Sequence, residues 1–152
     1  MPEPLSYSTA TPRLGLPMLF AGQAQKETTV NEALSAIDIL LAGNVEGIAS
    51  APPASPVAGM AWIVGGTPTG AFVGHADKIA GWTEGGWRFI QPTEGMRTFD
   101  RASGTFRHYS GGWITPVAPS LPAGGSNVDV EARASLTALV TALEQLGIFS
   151  SD

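Results

Sequence analysis

Cysteine is absent from the 152 residues, which excludes disulfides and thiolate metal sites and leaves stability to packing or assembly. Charge is also scarce. Asp, Glu, Lys and Arg make up 14% of the chain, well below the roughly 25% usual in soluble domains, so part of the surface is expected to be covered by other chains. The eight Lys and Arg, set against 13 Asp and Glu, give a formal charge of −5. Those few basic residues are scattered and cannot neutralise a run of phosphates, which excludes a nucleic-acid partner. Long apolar runs are missing too. The run at residues 14–21 is interrupted by Gly15 and Pro17 and follows a proline-rich arm, so it does not read as a signal peptide. Nothing approaches the ~20 apolar residues of a membrane span, and no membrane insertion is expected.

What the chain does hold is glycine (19), proline (12) and 43% hydrophobic residues. That mixture suits short strands, tight turns and extended connectors around one modest core. Residues 1–20, with Pro2, Pro4, Pro12 and Pro17, read as an extended arm that gains order only along another subunit. Residues 21–43 read as a helix. Val30, Leu34, Ile37 and Leu41 form a narrow heptad seam closed by Gly43-Asn44. Carried backwards, the seam meets Glu27 and Gln23, polar residues that can fix register and strand number in a coiled coil. The competing reading packs this helix on its own domain.

Residues 52–116 read as a small antiparallel β-meander rich in tryptophan. Strands are predicted near 61–64, 78–83, 87–91, 96–100, 105–109 and 113–115, with turns at Glu84-Gly85-Gly86, Ala102-Ser103-Gly104 and Ser110-Gly111-Gly112. Two turns echo each other. Trp82 and Trp87 flank one Gly-Gly pair, and Tyr109 and Trp113 flank another, as hairpins with aromatic ends would. After a linker at 117–127, residues 128–149 predict a helix capped by Asp129, with Glu131 in its first turn. Ala132, Leu136, Leu139, Leu143 and Leu146 form its stripe, and Gly147 is placed for a left-handed cap with Ile148 folding back. Such a short helix is marginal alone and needs a partner.

The residues offer little to catalysis. Ser103 and Ser110 lie near His108 but in turns, where serine is common for backbone reasons. His75-Ala-Asp77 is a weak metal pair without cysteine or a second histidine at helical spacing. Glu84, Glu94 and Asp100 sit beside turns, and nothing sets two of them across a sugar. The glycine-rich loop at 65–70 lacks the lysine of a phosphate loop. No enzyme activity and no cofactor are expected. The aromatics build a core on the bland reading; those free to stack on glycan rings would be Trp82, Trp87, Tyr109 and Trp113.

The stretches Thr11-Pro-Arg-Leu-Gly-Leu-Pro17, Ala21-Gly-Gln-Ala-Gln-Lys-Glu27 and Asn31-Glu-Ala-Leu34 resemble the signature of a domain of unknown function of alphaproteobacterial prophages and gene transfer agents, as found in tail fibre and head spike proteins. Pro52-Pro-Ala-Ser-Pro56, Trp62-Ile-Val-Gly65, Gly86-Trp-Arg-Phe89 and Pro92 to Gly95 extend the resemblance, which covers about 11–115. It implies a virion part, assembled in the bacterial cytoplasm, that contacts other particle proteins of tail, baseplate or head vertex, and host surface polysaccharide. Together the readings give an α+β chain forming a homotrimer through the two helical stripes. A monomeric carbohydrate-binding module is the alternative, and a glycan hydrolase a third.

Overall fold

The computed structural model describes residues 19, 22, 24–125 and 129–149. The arm expected at 1–20, save Leu19, and Gln23 of the first stripe lie outside these residues. Helix α1 (Lys26–Ala42) occupies a run free of glycine and proline, and it stops where Gly43 takes a left-handed φ of 63°.

The residues that follow are shared between two sheets. β1 (Asn44–Val45) pairs in parallel with β6 (Arg97–Asp100), while β2 (Ile48–Ala49) pairs in parallel with β3 (Ala61–Val64). The first sheet runs β2-β3-β4-β5, completed by β4 (Ile79–Thr83) and β5 (Gly86–Ile90); the second runs β1-β6-β7-β8, completed by β7 (Thr105–Tyr109) and β8 (Trp113–Ile114). The antiparallel hairpins stand where turn chemistry predicts them, but the single meander is replaced by two mixed sheets joined through residues 44–49. Strands of two residues carry no alternation long enough to see in sequence, so β1 and β2 went unforeseen.

Opposite faces of the first sheet are covered differently. Ala61, Ile63, Ile79 and Ile90 join Val45 of the second sheet in one buried cluster, against which Ala36, Ile39 and Leu40 of α1 pack. Gly81 makes the helix contact possible, since a Cβ there would lie 2.3 Å from Ile39 Cδ1. Arg88 and Glu32 add an ion pair at 2.7 Å, although Arg88 Nε is poorly aligned for a hydrogen bond. On the other face, Val64, Phe72 and Ala80 form a second buried cluster. Phe72 ends a short 3-10 turn, Gly70–Phe72, in the long loop between β3 and β4.

Helix α2 (Val130–Gln145) begins as its sequence predicts. The Asp129 carboxylate accepts the Ala132 amide at 2.8 Å. At its far end Gly147 has φ 68°, the Gly147 amide donates to Glu144 O, and the Ile148 amide donates to Leu143 O. This pair of bonds is a Schellman cap. Gly147 is also the docking point on the second sheet, because its carbonyl accepts the Phe106 amide at 2.7 Å. No residue of the helix body is buried. The chain is thus α+β, a β-rich domain flanked by two helices.

Candidate functional site

The two sequence echoes are two cross-strand aromatic pairs. Trp82 faces Trp87 directly across β4 and β5, with ring centroids 4.9 Å apart. Tyr109 faces Trp113 across β7 and β8 at 5.5 Å. Each pair closes its hairpin beside a Gly-Gly turn, and both meet edge to face, the arrangement that the aromatic quadrupole favours. The pairs lie in different sheets, so the four aromatics singled out in the sequence do not form one surface. All four are half-buried.

Around Trp87 the structure assembles a larger group than the pair. Trp62 lies 5.7 Å and Phe72 4.9 Å from it by ring centroid, both edge to face. Phe72 in turn meets Phe89, on which the His75 imidazole stacks at 3.7 Å. His75 is held below its ordinary pKa, first by burial and then by the Lys78 charge, whose Nζ sits 3.3 Å from His75 Nδ1. An ammonium at that nitrogen is a poor neighbour for a metal cation. Among the described residues no group of three or more His, Asp or Glu converges on one point, and no helix is long and apolar enough to cross a membrane. Trp62 shares a face with Trp87 through register, opposing Ala80, which opposes Phe89; strand alternation in the sequence gives no such pairing between strands. Phe72 carried no signal beyond being an aromatic in a loop of Gly, Pro and Thr.

Trp113 does more than pair with Tyr109. Its indole N–H donates to the Asp77 carbonyl at 2.7 Å, tying the second sheet to the loop ahead of β4. Asp77 has φ 63°, so this bond helps hold an unfavourable backbone. Replacing Trp113 with Phe keeps an aromatic ring but removes the donor and part of the packed ring volume. It is expected to lower stability by about 1–2 kcal/mol, read as a fall in the thermal unfolding midpoint.

The acidic and nucleophilic candidates are placed separately. Asp100 is 1% exposed and bonded to Arg107 Nε at 2.6 Å, so it is not open to a sugar. Glu94 accepts the Gly111 amide at 3.3 Å, and Glu84 is exposed in the β4–β5 turn. Ser103 Oγ shares a hydrogen bond with Thr105 Oγ1 at 2.8 Å. His108 stands on the opposite side of β7 from Thr105, as strand alternation requires.

The helical stripes face outward. Val30, Leu34, Ile37 and Leu41 are 36, 56, 36 and 81% exposed, because α1 docks through Ala36, Ile39 and Leu40 instead. Glu27 is exposed beside them. On α2, Leu136, Leu139 and Leu146 are 46, 56 and 66% exposed, and Leu143 is half-buried.

No curated protein matches the sequence. Residues 30–114, which include all eight strands found among the described residues and most of α1 but none of α2, match the family described as "Protein of unknown function (DUF2793)". Since that stretch is more than half of the 152 residues, the chain belongs to this family.

Proposed function

We propose that the chain is a non-enzymatic structural component of a phage or gene-transfer-agent particle, a homotrimeric tail-fibre or spike module that attaches to the virion, to the host surface or to both. The observation that carries it is the pair of uncovered leucine-type stripes. Helices of this length are marginal alone, and exposed apolar stripes are hydrophobic area that a partner can remove from water. Copies of the same chain are the simplest partner, since a closed ring of identical subunits covers every stripe. The virion setting rests on the resemblance of the Gly22-Gln-Ala-Gln-Lys26 and Asn31-Glu-Ala-Leu34 runs.

Sedimentation equilibrium of the full chain tests the assembly. A trimer mass is expected, with the combined variant Leu34→Glu, Leu41→Glu, Leu139→Glu sedimenting as a monomer. These side chains are exposed, so the β-domain should keep its near-UV dichroism. A wild-type chain that stays monomeric at high concentration overturns the assembly, and one that also binds glycan supports the carbohydrate-module reading. Immunolabelling of intact particles tests the virion setting, which fails if no label is found on them.

A further inference from the structure

One face of the second sheet carries the edge-to-face pair Phe99–Phe106, is covered in part by the Gly147 turn at the end of α2, and is otherwise open. Arg97 lies opposite His108 across β6 and β7, Phe99 opposite Phe106, and Ile114 opposite His108 across β7 and β8. Directly opposed residues share a face, so these five side chains project together, away from buried Thr98, Asp100 and Thr105. Over this face Pro116 and Ile148 raise two apolar walls. With Gly95, Arg97, Phe106, Arg107 and His108 they bound an open groove of about 320 Å³, at the small end of ligand clefts.

The charge in this groove is uneven. Arg107 turns its side chain to the opposite face of β7 from His108, where its Nε is bonded to Asp100 and its Nη1 to Thr115, so it brings no free charge to the groove. Arg97 is exposed, and among the described residues it has no ion-pair partner; its guanidinium rests 5.1 Å from the Phe106 ring centroid. Stacking on an aromatic orients the planar fork and lowers what is lost on binding. In a chain of net charge −5, this guanidinium, stacked on Phe106 and directly across from His108 in the ladder, is available to an anion.

We propose that this groove binds a carboxylate-bearing sugar ring, a hexuronate residue, with the carboxylate on Arg97 and His108 and the C–H face of the ring against Pro116 and Ile148. One uncommitted guanidinium matches a single negative charge and offers it a bidentate bond. A phosphate dianion would call for more cations. The apolar walls favour a ring over a bare inorganic anion, and the open ends allow either a free sugar or a unit within a polysaccharide. The groove is lined mainly by residues of the β-domain, so the proposal rests on the host-surface part of the proposed function and not on trimer formation.

Isothermal titration calorimetry of the full chain, at low salt, with galacturonic acid, a trigalacturonate, a neutral galactose trisaccharide and sodium sulfate decides it. Saturable binding of a uronate is expected, with the trimer of sugars tighter if polysaccharide is the source and equal to the monomer if free sugar is. Arg97→Gln should weaken that binding by about ten- to hundredfold, and Arg97→Lys by less. Arg97 is exposed, so unfolding midpoints should not move. Absence of uronate binding, equal binding of the neutral sugar or of sulfate, or an Arg97→Gln variant that binds like wild type each overturns the proposal. None of these outcomes bears on the sedimentation result, so the two readings fail separately.

Discussion

Replacing Asp100 with Ala is expected to destabilise the chain by about 3–5 kcal/mol, a large part of the roughly 5–15 kcal/mol that holds a domain folded. The carboxylate is a hub. It accepts the Arg107 Nε and the Ala102 and Ser103 amides at 2.6, 3.0 and 3.3 Å, and Arg107 goes on to Thr115. Through these bonds it joins β6, the β6–β7 turn, β7 and the residue after β8. Removing it leaves the Arg107 guanidinium, 16% exposed, with its charge uncompensated. Two amides lose their acceptor as well. Chemical denaturation measures the loss. The double variant Asp100→Ala, Arg107→Met should lose less than the sum of the single variants, because the second change removes the stranded charge.

The same group gives acid sensitivity a definite sign. Burial pushes the Asp100 carboxyl up, but the Arg107 hydrogen bond, the Ser103 amide, the Arg107 charge and the Ala102 amide together hold it below its ordinary value. A carboxyl depressed in the folded state contributes stability that is present in full above its unfolded pKa of about 3.9. That contribution is lost as pH falls below that value and through the folded one. Wild type should therefore lose stability with acid in that window, and Asp100→Ala should show a flatter dependence there. Identical pH profiles for the two proteins would contradict the assignment.

Gly47→Ala is expected to be the next most damaging change, by at least about 2 kcal/mol. Gly47 sits between β1 and β2 with φ 151°, a conformation essentially closed to residues with a Cβ. An added Cβ would also meet the Ala102 methyl at 3.2 Å. The site cannot relax freely. Its carbonyl accepts the Ile63 amide at 3.0 Å, the Glu46 amide donates to Ala61 O at 2.7 Å, and the Arg101 amide donates to Val45 O at 2.9 Å. The segment is thus bonded to both sheets at once, and shifting it strains both. In a urea titration of both variants, Gly66→Ala, at a position with open space and an ordinary φ, should stay within about 0.5 kcal/mol of wild type.

Elements set by local chemistry could be read from the residues. The cap of α2, from Asp129 to the Schellman turn at Gly147, follows from which residues accept a helix end, and every bond in it joins neighbours in sequence. The hairpins follow for the same reason, since a Gly-Gly turn fixes which aromatics oppose each other, and Trp82–Trp87 and Tyr109–Trp113 do. The groove around Arg97 could not be read this way. His108, Pro116 and Ile148 lie 11, 19 and 51 positions along the chain from it, and nothing in their spacing says that they meet.

The α1 stripe shows where the boundary falls. The run Ile37-Asp-Ile-Leu-Leu41 offers apolar residues to more than one direction, and helical periodicity alone selects a face without saying what covers it. Sequence determined that α1 is a helix, where it ends, and that Val30, Leu34, Ile37 and Leu41 share one side. Tertiary structure decided that Ile39 turns inward, because Gly81, in a strand 42 positions away, leaves the space that its side chain fills. It also decided that the hairpins divide between two sheets, through parallel pairings of two-residue strands. Backbone preferences and turns act over a few residues and are written into each stretch. The choice of partner across a sheet or beneath a helix is made by volume and hydrogen bonds that exist only once distant segments have met.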